Sequence, residues 1–329
     1  MAKTTPANVD SSIQELWARL TLRDHLRKGF WASKAGVEGS GAAVIRRTDL
    51  VTNPGDTIHI QITNPLTGAG VSGDTTQLEG SEENLTTSSL KVVPEFYRHA
   101  VRWYRRANKK SLIDLRGEAR MRLAEWGGEK MDDLRFASFT SSANINGETY
   151  TPNVRCVGGG TGVGDVGAAD TLSVEEIQKV KLALYNQRAL PLRTEDGEDI
   201  FGLVAHQNAV FNLKRSSEYR DWVREAEVRG KDNPFFRGAL CMVDGMVIFQ
   251  HSNVPVAAGA GAGGIDVARN IAFGAEAFIE GIDENPSWDE DDFDYGNEFG
   301  IAYSFGFQPR RGLEKNSLQV YSAAVNPLA

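Results

Sequence analysis

The glycine spacing between Val157 and Gly167 is the first feature that could do chemistry. Within it, Gly162-Val163-Gly164-Asp165-Val166-Gly167 fits G-x-G-x-x-G, a pattern whose glycines let a backbone close on a pyrophosphate. Its context is wrong for a nucleotide. Ala168 to Leu172 separate it from the next helical stretch, no hydrophobic strand feeds it, and the position about twenty residues on is basic or apolar where a ribose-binding acid belongs. A flexible surface loop is the expectation, with an α/β nucleotide-binding enzyme using residues 157–167 as the alternative. The sequence contains no G-x-x-x-x-G-K-[ST], H-E-x-x-H or G-x-S-x-G. Among five scattered histidines, His59 and His99 are candidates to meet across a hairpin, as an exposed or satisfied pair more than as a ligand pair. The acids Asp283 to Asp294 offer hard oxygens, but their spacing does not fit an EF-hand, so a solvated acidic loop or subunit-facing patch is expected. Cys156 and Cys241 lie far apart and in no metal-ligand spacing, which predicts buried thiols. No catalytic residue, cofactor or metal site is assigned.

Two charged patches stand out instead. Arg102, Arg105, Arg106, Lys109 and Lys110 interleave with Trp103 and Tyr104, a mixture able to hold nucleic acid or an acidic protein surface. Asp74, Glu79, Glu82 and Glu83 lie in a stretch, Asn64 to Leu90, that has no Lys or Arg at all. Opposed patches in one chain suggest that copies pair with one another, with Arg46 and Arg47 as a second candidate partner for the acids.

The elements that must carry these patches follow from periodicity. Ser11 to about Phe30 has helix-like spacing of Ile13, Leu16, Trp17, Leu20 and Leu26, and a Gly/Ser/Ala stretch then joins it to the rest, as an arm would be joined. Thr57 to Thr63 alternates strictly, with Ile58, Ile60 and Ile62 on one face, and Lys91 to Trp103 resumes β-favouring residues. Together they predict a long hairpin with a wide polar tip. A loop of over twenty residues inside a domain is itself a sign of contact with another chain. Lys109 to Leu134 changes to helical period, with a kink expected at Gly127-Gly128. A capped helix is predicted from Ser173, with Glu176 as capping-box partner, to about Arg188. Beyond it come a strand at Ile200–His206, helix over 208–228, strands at 242–250 and 270–279, and a β-rich end at 298–324.

The chain has 329 residues, 41% of them hydrophobic and 24% charged, enough for a sizeable core and about two domains. No run approaches the ~20 apolar residues of a membrane span, and the N-terminus lacks a secretory signal, so cytosolic production without a membrane partner is expected. A net charge of −8 argues against a protein whose main task is gripping phosphates.

The order of arm, hairpin, long helix and mixed α/β region resembles the tailed-bacteriophage major capsid proteins of the Hong Kong ninety-seven type. Gly55 to Val92 followed by EFYRHAVRW is similar to the hairpin of the branch typified by the phage N-four major capsid protein, and the terminal NEFGIAYSFGFQPRRG is similar more loosely. The resemblance implies an α+β fold with an N-terminal arm (1–50), an extended loop (51–103), a peripheral domain with a spine helix (104–172 and 271–329) and an axial domain (173–270). It implies a shell of hexamers and pentamers in the virion, assembled in host cytoplasm around double-stranded DNA that is held only by proximity. A portal, a separate scaffolding protein and, as an open option, decoration proteins are the implied partners. Some relatives cross-link through a loop lysine, and this loop has none before Lys91, so a non-covalent shell is expected. A portal or head-completion ring protein is the remaining alternative.

Overall fold

The computed structural model describes residues 29–63, 66–73, 79, 82–110, 114–141, 144–145, 148–149, 151–195, 197–220 and 241–325. In chain order its strands are β1 (Ala35–Gly36), β2 (Val44–Arg47), β3 (Ile58–Thr63), β4 (Thr87–Val92), β5 (Glu95–Tyr104), β6 (Asn144–Ile145), β7 (Glu148–Thr149), β8 (Val154–Cys156), β9 (Arg193–Glu195), β10 (Glu198–Ala205), β11 (Cys241–Val243), β12 (Met246–Gln250), β13 (Val256–Ala257), β14 (Val267–Phe273), β15 (Phe278–Phe293), β16 (Glu298–Arg311) and β17 (Ser317–Ala323). The helices are α1 (Asp49–Thr52), α2 (Arg105–Lys110), α3 (Leu115–Thr140), α4 (Val174–Asn186) and α5 (Gln207–Arg215). The helix expected over 11–30 lies outside the described residues except for its end, where Phe30 is in a turn before a short 3-10 helix, Trp31–Lys34.

Two sheets organise these elements. A five-stranded sheet runs β1-β2-β15-β16-β5, and an eight-stranded one has the path β11-β12-β10-β14-β17-β8 with β9 and β13 paired onto it. The second sheet includes β8, β17 and the whole of β14, which itself crosses 270, so it straddles the expected divisions at 172 and 270. Its core, with Ile177, Val180, Leu184, Phe201, Leu203 and Val320 fully or nearly fully buried, packs α4 and α5 against the strands. A second cluster around Trp31, Phe136, Phe139, Phe273 and Phe278 joins the sheets at the point where the arm enters. Apolar burial of this kind, at roughly 25 cal/mol per Å², is what binds both sheets into one body.

The long helix is 26 residues, about 39 Å at 1.5 Å per residue, and it starts at Asp114, whose side chain accepts from the Arg116 N–H at 3.2 Å. Lys109 and Lys110 fall instead in the separate helix α2. The expected kink at Gly127-Gly128 is absent: α3 is continuous there. The reason is close approach. A Cβ on Gly127 would collide with the Tyr303 ring, so glycine lets β16 lie directly on the helix. The capped helix is α4, with Ser173 Oγ accepting from Glu176 N at 3.3 Å. The Glu176 carboxylate itself turns to Arg155 and Lys179.

Candidate functional site

β3 and β4 pair antiparallel from Ile58↔Val92 to Thr63↔Thr87. The return arm therefore ends at Val92. Pro94 follows, and Glu95 starts a strand of the other sheet, paired to β16 from Phe307↔Glu95 to Glu298↔Tyr104. The expected second arm, Lys91 to Trp103, is thus two strands in two sheets. Ile58, Leu90 and Val92 are buried at the hairpin root against Ile45 and Ile279, whereas Ile60 and Ile62 are only half-buried. His59 faces Lys91 across the hairpin, and His99 packs 5.0 Å from the Trp126 ring, so the two histidines sit in different sheets.

The acidic tip has internal architecture. Glu83 accepts from Thr67 N at 2.8 Å, Gly68 N at 2.6 Å and Thr67 Oγ1 at 3.0 Å, clamping one side of the loop to the other. The Thr67 and Gly68 amides hold its carboxyl below the usual carboxylate range, since each bond favours the charged form. Glu79 and Glu82 are exposed, and Asp74 lies outside the described residues. Flanking the clamp are Leu66 and Leu85, 64% and 67% exposed, which periodicity did not single out because they belong to no regular element.

The basic residues divide by partner. Arg46 Nε donates to Glu280 at 2.7 Å, and Arg47 pairs with Glu38. The Glu280 carboxylate is fully buried and also takes two bonds from Arg135, at 2.8 and 3.0 Å. Burial alone would push this carboxyl up, but the Arg135 and Arg46 guanidinium groups outweigh it and hold it below its ordinary value. Arg135 reaches on to Asp132 at 3.3 Å, and Asp132 accepts from Phe30 N at 2.8 Å. Arg46 and Arg47 thus serve the root of the arm in their own chain. Arg102 pairs with Glu298 and stacks 4.2 Å over the Phe293 ring. Arg105, Arg106, Lys109 and Lys110 are exposed on α2, which the Arg105 N–H ties to Asn297 O at 2.7 Å. Tip acids and α2 bases are not brought together within one chain by any ion pair among the described residues.

The remaining candidates lose their chemistry. The glycine-rich run lies at the surface as short 3-10 turns: Asp165 accepts from Thr161 N at 2.8 Å and Gly162 N at 3.1 Å, and Asp170 accepts from Gly167 N at 2.7 Å. Those amides, which a phosphate would need, are already occupied by carboxylates. The acidic run is not a loop. Most of it is the distal half of β15, where Glu290 and Asp292 share the face of the buried Trp288, with Glu290 turned to Arg116, and Asp289 and Asp291 take the opposite face; Asp294 falls in the turn beyond, and register shifts on either side of Glu284 accommodate Pro286. Among the described residues no group of three or more His, Cys, Asp or Glu is placed to hold a metal ion. Cys156 is buried, while the Cys241 side chain lies outside the described set. No helix among them is long and apolar enough to cross a membrane.

Residues 32–308 match the family model described as phage capsid protein. The chain is 30% identical over 273 residues to the major capsid protein of Pseudomonas phage KPP25, an alignment covering 72% of each chain. In fold it is similar to the capsid of Ralstonia phage GP4, with a TM-score of 0.75 at 24% identity over 91% of this chain and 92% of that one. It is also similar to a chain of the cyanophage Pam1 capsid, with a TM-score of 0.80 at 18% identity over 92% and 93% of the two chains. These likenesses agree with the expected Hong Kong ninety-seven-type α+β fold, and they favour a shell protein over the nucleotide-binding and portal alternatives.

Proposed function

The chain belongs to the phage capsid protein family and is a structural, major capsid protein, and from that premise we propose how its copies hold together. Hexamers and pentamers form a closed shell around double-stranded DNA through non-covalent contacts between the loop of one copy and the body of the next. The observation that carries this reading is the β3–β4 hairpin, whose apolar face is covered at the root by its own chain and left half open toward an acidic tip. A two-stranded hairpin of that kind is marginal alone and needs another surface. The acids Glu79 and Glu82 then meet the α2 bases Arg105, Arg106, Lys109 and Lys110 of a neighbour, with Arg102 at the rim. Asp74 adds to the same field, whereas Glu83 acts by shaping the tip, and Arg46 and Arg47 act within their own subunit. Each exposed pair contributes only about 0.2–1 kcal/mol, so register comes from the pairs and strength from many copies.

The arm (1–50) and an extended loop that closes at Val92 take the roles that the family assigns to them, with β5 counted in the peripheral region and the axial region sharing its sheet with β8 and β17 across 172 and 270. The protein catalyses no reaction. Assembly takes place in host cytoplasm, with a separate scaffolding protein and a portal, and with decoration proteins as an optional layer. DNA is contained and not gripped.

Electron microscopy of the expressed protein tests the reading: shells, tubes or capsomer rings are expected. A strictly monomeric species at high concentration, with scaffolding protein supplied, would overturn it. The double reversal Glu79→Lys/Glu82→Lys is expected to block assembly of a folded subunit, and reversing Arg105, Arg106, Lys109 and Lys110 to Glu in the same chain is expected to restore it. Normal heads from the double reversal alone would remove the pairing.

A further inference from the structure

The β5 strand is the open edge of the five-stranded sheet. It runs for ten residues, about 34 Å at 3.4 Å per residue, and pairs with β16 on one side only among the described residues. One face, with Tyr97, Val101 and Trp103, packs toward α3. The other, with Phe96, Arg98, Ala100, Arg102 and Tyr104, is exposed. A long edge of this kind presents a row of main-chain N–H and C=O groups to any extended segment that approaches.

The charge on this edge is selective. Arg98 and Arg102 sit along it, Glu95 is its single acid, and the chain runs straight on into Arg105, Arg106, Lys109 and Lys110. Two β5 edges brought together would set arginine against arginine. An extended, acidic segment without bases is admitted, and this chain has one. Residues 82–86 run exposed and without regular structure into β4, inside a stretch that has no Lys or Arg from Asn64 to Leu90. Attraction toward one partner and repulsion of the like edge together give specificity.

We propose that loop residues 82–86 of one copy add as a sixth strand to the β5 edge of a neighbouring copy, so that main-chain ladder bonds supplement the side-chain charges. This rests on the shell reading above and names the mode of the contact it requires. Strand addition draws affinity from backbone bonds and selectivity from side chains alternating along the edge.

The test mixes two pools of otherwise native protein. One pool carries a cysteine at Glu82, Asn84 or Thr86, and the other carries one at Arg98, Ala100 or Arg102. Assembled particles are oxidised, and disulfides are mapped by mass spectrometry, which separates them from Cys156 and Cys241. Cross-links between loop and β5 stepping two by two along a single register are expected, because a disulfide needs Cα atoms within about 4.4–6.8 Å. Hydrogen exchange of residues 95–104 should also slow at least tenfold at alternate amides on assembly. Particles that assemble without loop-to-β5 cross-links, or with β5 amides exchanging as fast as in the free subunit, would overturn the strand addition and leave the shell reading intact. Cross-links from the Arg98→Cys pool to itself would assign the edge to a second β5 and overturn it equally. Failure of native protein to form any particle would instead strike the shell reading on which the proposal rests.

Discussion

Replacing Gly127 by alanine tests the close packing of β16 on the long helix, because two effects of known size oppose each other there. In the interior of a helix, Gly→Ala ordinarily stabilises by about 1 kcal/mol through backbone entropy. Here the new Cβ meets the Tyr303 ring. That ring is fully buried and flanked by Trp288 at 4.9 Å, Phe305 at 5.9 Å and Trp126 at 6.5 Å, so it has nowhere to rotate. Overpacking of a core costs about 1–3 kcal/mol, and an immobile neighbour places the cost at the upper end. The net expectation is a loss of about 2 kcal/mol, read by urea titration of the unassembled subunit with tryptophan fluorescence. The double variant Gly127→Ala/Tyr303→Leu isolates the cause. Leucine lacks the Cε1 and Cζ atoms nearest the new methyl group, so in that background Gly127→Ala should be neutral or stabilising. A gain of about 1 kcal/mol from Gly127→Ala alone would refute the close-approach argument and restore the glycines to an unexplained helix feature.

Glu280→Ala should destabilise by about 3–5 kcal/mol, since it leaves the buried Arg135 without its main counter-charge, and protease cleavage near Phe30 should rise with it. The carboxyl of Glu280 titrates below its ordinary range when folded, so its contribution is present above about pH 4.3 and is lost as pH falls through the lowered folded value; in Glu280→Ala the acid limb of a stability curve should flatten. His206 and His251 are both pushed down by burial, so the unfolded chain takes up their protons first, and stability should begin to decline as pH falls below about 6.5. His251→Gln should remove part of that slope. Glu83→Ala should leave the melting temperature of the subunit nearly unchanged, because the carboxylate is exposed, while making the loop a faster protease substrate and lowering the yield of particles.

Much of the architecture was legible because it rests on local period. Ser173 and Glu176 fix the start of α4, the isoleucines of β3 alternate as a half-buried strand must, and Tyr303, Phe305 and Phe307 share one face of β16. What was misjudged depends on partners distant in sequence. The β-favouring run from Lys91 to Trp103 gives no sign that its halves join different sheets except Pro94, which cannot donate to a ladder and marks the switch. Gly127-Gly128 reads as a kink until Tyr303 is seen against it. Asp283 to Asp294 looks like a solvated loop because acids occupy both faces of this strand, and only the buried Trp288 and the pairing of Glu290 with the distant Arg116 mark it as part of a sheet. In the candidate site, charge signs were visible in the sequence, but not the allocation of Arg46 to Glu280 or of Glu83 to the Thr67 and Gly68 amides.

The half-open isoleucine face of the hairpin has a thermal consequence. Ile60 and Ile62 keep part of their apolar surface in water, and on the proposed loop contact a neighbour would cover it, so that part of the drive for assembly would be release of that hydration water. Such a drive is mainly entropic near room temperature and weakens on cooling, with a negative heat-capacity change on association. Particles held this way should close more completely when warmed, and chilling should loosen the loops before it affects the fold of the subunit.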